Sequence, residues 1–242
     1  SFVSLSAQFP PTAESNKPVP QLYVFDADPE EHPQWPRLAD AVPHRVELVD
    51  LPAVADAVNQ LATEVQRREA SDETSAPPIF AFVVNLARFR DLRKDDDDFS
   101  FSSSLDADET PSVSKQFTEI LTSGPAVGVH LILWCDSYKN AERWIGRQLM
   151  KELEIRVAFQ MNPMDSSNFI DTAVAGTLGA HRAILYLDDE GSSEKFRPYG
   201  PPEDDWIAQV KAALLGEAID STDSDSLETV DLADDLDSWT VM

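Results

Sequence analysis

The six residues Ile79-Phe80-Ala81-Phe82-Val83-Val84 form an unbroken apolar run introduced by Pro77-Pro78. Its length and its β-branched and aromatic content predict a strand, and its lack of polar alternation predicts burial on both faces. A sheet with helices packed on each side supplies that environment. The run therefore predicts an α/β fold in which this strand is the middle of a mostly parallel sheet.

The neighbouring sequence supplies the other layers. Leu22-Tyr23-Val24-Phe25-Asp26 and Val46-Glu47-Leu48-Val49 read as two further strands, the first closed by a carboxylate. Val54, Val58, Leu61 and Val65 recur at spacings of three and four, which makes residues 52–68 an amphipathic helix. A helix holding Val113, Phe117, Ile120 and Leu121 runs to the turn Ser123-Gly124-Pro125, and Val129-His130-Leu131-Ile132-Leu133-Trp134 follows as a strand. Helix over 140–153, strand over 155–161, helix near 166–172, strand over 183–187 and helix over 204–215 continue the alternation, as βαβ units would. Residues 2–9, apolar at mixed spacing and stopped by Pro10-Pro11, suit the last turns of a helix begun upstream, so the chain is expected to open in mid-element.

Composition narrows the function classes. The formal charge of −25 repels phosphate backbones and forgoes counterion release, so direct DNA binding by this chain is not expected. The single cysteine, Cys135, excludes an intrachain disulfide and points to a reducing, cytoplasmic setting. No apolar run approaches the roughly 20 residues of a bilayer span, so no membrane contact is expected. Two segments carry little apolar content: a Ser/Asp-rich stretch over 91–111, expected to be a flexible insertion, and residues 217–242, with nine acidic residues and no Lys or Arg, expected to be a disordered tail that recruits or inhibits a basic partner. The domain proper is then 1–216.

Four segments carry a family likeness. From Gly128, Gly-Val-His-Leu-Ile-Leu-Trp-Cys-Asp resembles the sensor strand of FtsK/SpoIIIE-type P-loop ATPases. Ile155-Arg156-Val157-Ala158-Phe159-Gln160 resembles the family's Arg-Ile-Ala-Phe-Arg strand, and Asp165-Ser166-Ser167-Asn168-Phe169-Ile170-Asp171 its Asp-Ser-Arg-Thr-Ile-Leu-Asp helix start. Thr177-Leu178-Gly179-Ala180-His181-Arg182-Ala183-Ile184-Leu185-Tyr186 is similar to its Leu-Leu-Gly-x-Gly-Asp-Met-Leu-Tyr segment. The likeness covers roughly residues 1 to 205 in matching order and implies a RecA-like domain lacking its P-loop half, with the opening helix following the phosphate-binding loop.

The same likeness raises the question of activity, because P-loop hydrolysis needs a loop that cradles phosphates and carboxylates for magnesium and the attacking water. The chain contains no Gly-x-x-x-x-Gly-Lys-Ser/Thr. Where the family carries Asp-Glu at the end of its central strand, this sequence has Asn85 and Leu86. Trp134-Cys135-Asp136 replaces the small-Thr-Gln sensor triplet, and Gln160 stands where an arginine is common. The likeness thus implies ATP and magnesium only with an upstream P-loop, and neither for this chain alone.

Each candidate residue has two readings. Asn85 either orients a phosphate-bound water or is turn chemistry at a strand end. Asp136 either replaces a magnesium ligand beyond a strand end or caps the turn before the next helix. Arg88, Arg90, Arg93 and Lys94 either touch a neighbouring subunit's nucleotide or a nucleic-acid backbone, or pair with acids within the chain or across a subunit interface, the reading that the four aspartates beside them favour. Arg156 either sits at a subunit face or pairs with an acid of its own chain. Cys135 reads as a small core residue, and His130 and His181 are too isolated to be metal ligands; no metal site is expected. The expected role is a degenerate, non-hydrolysing module that packs on the upstream half of the same protein and takes part in a homo-oligomeric ring. The alternatives are an active ATP-driven DNA or protein translocase with its P-loop upstream, and a protein-interaction module of a secretion-type motor.

Overall fold

The computed structural model describes residues 2–10, 18–71, 76–94, 111–200 and 202–215. Most of the expected insertion (95–110) and the whole acidic tail (217–242) lie outside the described residues.

Four strands, β1 (Gln21–Asp26), β2 (Val46–Val49), β3 (Ile79–Val84) and β4 (Val129–Leu133), form a parallel sheet in the order β2-β1-β3-β4. β3 lies inside the sheet, in register with β1 from Gln21↔Ile79 to Asp26↔Val84 and with β4 from Ile79↔Val129 to Val83↔Leu133. Its apolar run is explained by what covers it. On one face Tyr23, Phe25, Ala81 and Val83 pack with Val58, Leu61 and Val65 of α3 (Val54–Ser71) and with Phe117 and Ile120 of α4 (Val113–Ser123). On the other, Leu22, Val24, Phe82 and Val84 meet Phe2 of α1 (Phe2–Gln8), Leu38 of α2 (Gln34–Ala41) and Ile207 of α7 (Asp204–Leu215). Phe2 sets its ring edge-on to Phe82 at 5.4 Å and to Trp35 at 5.8 Å, which seats the opening helix on the central strand. This is the α/β arrangement expected, with a parallel central sheet flanked by helices.

One buried cation ties the helical layer to the sheet. Arg68, on the last turns of α3, donates to the carbonyls of Pro77 (2.8 Å) and Val127 (3.0 Å), just before β3 and β4, and to Glu64 at 2.7 Å. The turn into β4 is equally constrained: a Cβ on Gly124 would sit 2.7 Å from the Val129 carbonyl oxygen, and Gly128 takes φ +76°.

The rest of the chain departs from a single parallel sheet. β5 (Ile155–Phe159), β6 (Ala183–Leu187) and β7 (Ser192–Phe196) make a second, antiparallel sheet in that order. β7 was not expected, because Ser192-Ser193-Glu194-Lys195-Phe196 has no apolar alternation to mark a strand; the turn at Gly191 (φ +58°) folds it back on β6. α5 (Tyr138–Lys151) leads into β5 and bends at Gly146, which is non-helical. α6 (Pro163–Ile170) covers one face of the sheet through Ile170 and Phe169, and Phe169 also packs on the main core, joining the two units. The other face of β5 is bare: Ile155, Val157 and Phe159 alternate with buried Arg156 and Ala158, and Ile155 is 68% exposed.

Replacing Arg68 with leucine leaves the Pro77 and Val127 carbonyls without a donor and should lower unfolding stability by about 3 kcal/mol in denaturant titration. The hydrogen bonds from Arg67 and then Arg68 hold the Glu64 carboxyl at about 2, below its ordinary 4.5. A folded-state value below the unfolded one means that this stabilisation is complete above about pH 4.5 and fades as pH falls toward 2. Glu64→Gln should therefore flatten the acid limb of the stability profile in that window, measured by pH-dependent unfolding.

Candidate functional site

Parallel strands deliver their following residues to one rim, and here β1, β3 and β4 end on Asp26, Val84 and Leu133. The pairing of β3 with β4 extends past the strands: Trp134 N–H donates to the Val83 carbonyl (3.0 Å) and Leu86 N–H to the Trp134 carbonyl (2.8 Å). Asn85 lies between them in the left-handed region, at φ 55° and ψ 78°, a conformation that asparagine tolerates better than most residues. The chain then winds through two 3-10 turns, Leu86–Arg88 and Arg90–Leu92, which place Leu86, Phe89 and Leu92 in the main core. Leu86 is 1% exposed. Leu86 is thus a hydrophobic core position.

Asp26 is the group at this rim that sequence reasoning did not single out, although the carboxylate closing the first strand was its signal. It is 6% exposed. Its Oδ1 accepts from Asp28 N–H (3.1 Å) and lies 2.9 Å from His32 Nδ1, while its Oδ2 has no hydrogen-bond partner among the described residues. Asn85 Oδ1 is likewise buried and without a partner. Next to them Arg88 pairs with Asp28 at 2.6 Å; the hydrogen bond from that guanidinium pulls the Asp28 carboxyl below its ordinary range.

The other candidates are spread out. Asp136 is exposed, accepts from Asn140 Nδ2 at 2.8 Å, and leaves the capping of α5 to Ser137, whose hydroxyl accepts from Asn140 N–H. Cys135 is half-buried, and burial pushes its thiol up, away from the thiolate a nucleophile needs. Arg90 is exposed. Arg156 is buried and engaged within its own chain: it donates to the carbonyls of Leu153 (2.9 Å) and Phe169 (3.0 Å), pairs with Asp188 at 3.2 Å and lies over the Tyr186 ring. His130 stacks on Phe80 at 5.1 Å, and burial lowers its pKa; His181 is exposed.

A cavity of about 280 Å³ lies between α5, α6 and β5, lined by Tyr138, Arg147, Lys151, Arg156, Phe169 and Asp171 among others. Its charges are largely matched: Arg147 pairs with Glu142, and Asp171 accepts from the Tyr186 hydroxyl (2.9 Å), which is pushed up to about 12. Among the described residues there is no group of three or more His, Cys, Asp or Glu placed to hold a metal, and no helix is long and apolar enough to cross a membrane.

No family model matches the sequence, and no curated protein does. Among solved structures the chain is similar to the genome packaging NTPase B204 of Sulfolobus turreted icosahedral virus 2 in complex with sulfate, at 12% identity and a TM-score of 0.46, over 82% of this chain and 86% of that one. It is also similar to the cytoplasmic domain of the Thermomonospora curvata type VII secretion ATPase EccC, at 17% identity and a TM-score of 0.47, over 82% of this chain and 28% of that one. Similarity at this level assigns no activity to the chain.

Proposed function

We propose that this chain is the C-terminal part of an FtsK/SpoIIIE-like, RecA-like ATPase domain that does not itself hydrolyse nucleotide and acts in the assembly or regulation of a ring-forming translocase. The observation that carries the reading is the end of β3. There the acid positions hold Asn85, which has no charge, and Leu86, whose side chain fills the core beside Phe25 and Phe89. An amide cannot take a proton from water, and a buried leucine can neither hold a metal nor orient a nucleophile.

The edges of the sheets support a partner half within the same polypeptide. β4 pairs with β3 on one side, β5 pairs with β6 on one side, and neither has a second neighbour among the described residues. A strand and the next one joined to it through a helix ordinarily belong to one sheet, so β4–α5–β5 leaves room for an intervening strand. Trp134, 47% exposed, and the bare row Ile155, Val157 and Phe159 offer apolar cover for it. We assign the preceding, phosphate-binding half of the domain to that position. The charge of −25 favours protein partners over direct DNA contact, which brings in the secretion-type reading as the second one.

The test uses the polypeptide that includes the segment preceding residue 1, with ATP and magnesium, followed by calorimetry and phosphate release. Nucleotide binding without turnover, in the natural sequence and in Asn85→Asp alike, is the expected result; steady turnover in the natural sequence overturns the non-hydrolysing reading and makes the active translocase primary. Leu86→Glu should cost about 3 kcal/mol or more in unfolding stability, because it buries a carboxylate among Phe25, Phe89 and Leu92, and should restore no turnover. A Leu86→Glu protein that keeps its stability would show that the position faces the rim instead of the core.

A further inference from the structure

The helix α5 carries a charge pattern opposite to that of the chain. Its exposed residues are Lys139, Arg143, Arg147, Gln148 and Lys151, so every exposed side chain but one is cationic. The chain has 19 Lys and Arg against 44 Asp and Glu, and four of those 19 stand on this helix of 14 residues, where a merely solvated surface of so acidic a chain would carry acids. The one acid of the helix, Glu142, is taken by Arg147, and Lys139, Arg143 and Lys151 have no acidic partner among the described residues. Within each half of the helix the cations stand about 6 Å apart along the axis, Lys139 with Arg143 before the bend at Gly146 and Arg147 with Lys151 after it. The second pair opens on the cavity of about 280 Å³, whose lining adds the buried Arg156 and one acid, Asp171, itself engaged by the Tyr186 hydroxyl.

A row of unpaired cations calls for an acidic occupant. A nucleic acid meets the field of a chain with a charge of −25 before it reaches the helix, and is disfavoured for that reason. Residues 217–242 hold nine acidic residues and no Lys or Arg, at intervals of one to three residues. Two or three residues of extended chain cover about 7–10 Å, comparable to the spacing of the cations. The 27 residues that follow Leu215 reach at most about 90 Å, against a radius of gyration of about 17 Å for a domain of this size, so α5 lies within their span. Each exposed ion pair is weak and is screened beyond about 8 Å at physiological salt, but a covalent tether holds the acids at an effective concentration of about a millimolar and lets several pairs form together. The other acidic run, Asp95 to Asp98, follows Lys94, whose N–H donates to the Trp144 carbonyl; its four consecutive carboxylates match less well a row of cations spread over about 18 Å.

We propose that the acidic C-terminal segment 217–242 docks in cis on the cationic side of α5, and keeps it from other acidic surfaces until salt or a more basic partner draws the segment away. The contact lies outside the rim of the sheet and does not depend on the non-hydrolysing reading.

The experiment joins carboxylates to lysine amines with a zero-length carbodiimide in the full chain at low salt, separates monomer from dimer and maps the joined peptides by mass spectrometry. The expected result is that, in the monomer, Lys139 and Lys151 are joined to acids of 217–242 about fivefold or more above Lys115, an exposed lysine of α4, and that about 0.5 M salt removes the difference. Arg143→Glu, at an exposed position, should lower the yields at Lys139 and Lys151 several-fold with unfolding stability unchanged, and Arg143→Lys should retain them. Equal yields at Lys139, Lys151 and Lys115, joining to Asp95–Asp98 in place of 217–242, or yields indifferent to Arg143→Glu overturn the proposal and leave a solvated or locally neutralised helix. Joining found only in the dimer overturns the cis contact, since the segment then reaches a second copy.

Discussion

The pairing of β3 on both of its edges is the constraint on which the rest of the structure depends. A strand apolar on every residue can be stable only where two neighbours take its hydrogen bonds and two helical layers take its side chains. β1 and β4 supply the first, and α3 with α4 on one face and α1 with α2 and α7 on the other supply the second. Arg68 carries that arrangement into the turns, because its two carbonyl partners are the residues from which β3 and β4 depart. Once β3 is fixed, so is the rim at its end, and Asn85, Leu86 and Asp26 have little freedom about where they stand.

What could be read in the sequence follows from which interactions are local. The strands of the main sheet and α3 announce themselves through unbroken apolar runs and through the three-and-four spacing of Val54, Val58, Leu61 and Val65. β7 does not, since Ser192 to Phe196 is polar and is a strand only because the turn at Gly191 lays it against β6. The antiparallel course of β5 and β6 was hidden for a related reason: helix-strand alternation suggests parallel βαβ units, whereas α6 and the 3-10 turn Ala173–Thr177 return the chain on the same side with the opposite direction. The candidate site was legible in part. Asn85 and Leu86 could be placed at the end of a central strand, but that Leu86 turns into the core depends on two 3-10 turns and a left-handed residue that no periodicity encodes. Asp26 was visible as a carboxylate closing a strand; its burial and its contact with His32, six residues away around a turn, were not. Arg156 could be seen as an arginine on a strand, while the carbonyls that receive it, from Leu153 and Phe169, come together only in three dimensions.

These features describe a domain whose scaffold is better defined than its chemistry. Under the proposed reading, the positions that a P-loop ATPase would use for hydrolysis hold an amide and a core leucine; the charged groups near the rim are mostly engaged with one another, Arg88 with Asp28 and His32 with Asp26. Among the described residues the open surfaces include one edge of β4, one edge of β5 and the bare row of Ile155, Val157 and Phe159. Open edges flanked by apolar side chains are places where another strand adds. The proposed role in assembly rests on these open, apolar-flanked edges.

The central claim is that β4 and β5 are completed by polypeptide that precedes residue 1. Alternate amides of β4, those of Leu131 and Leu133, point away from β3, because Trp134 N–H is directed toward it. Hydrogen exchange at these two amides, and along the free edge of β5, measured in this chain alone and in the polypeptide that includes the preceding segment, tests the claim directly. The account predicts rapid exchange in the chain alone and protection comparable to that of β3 in the longer protein; equal, rapid exchange in both would contradict it.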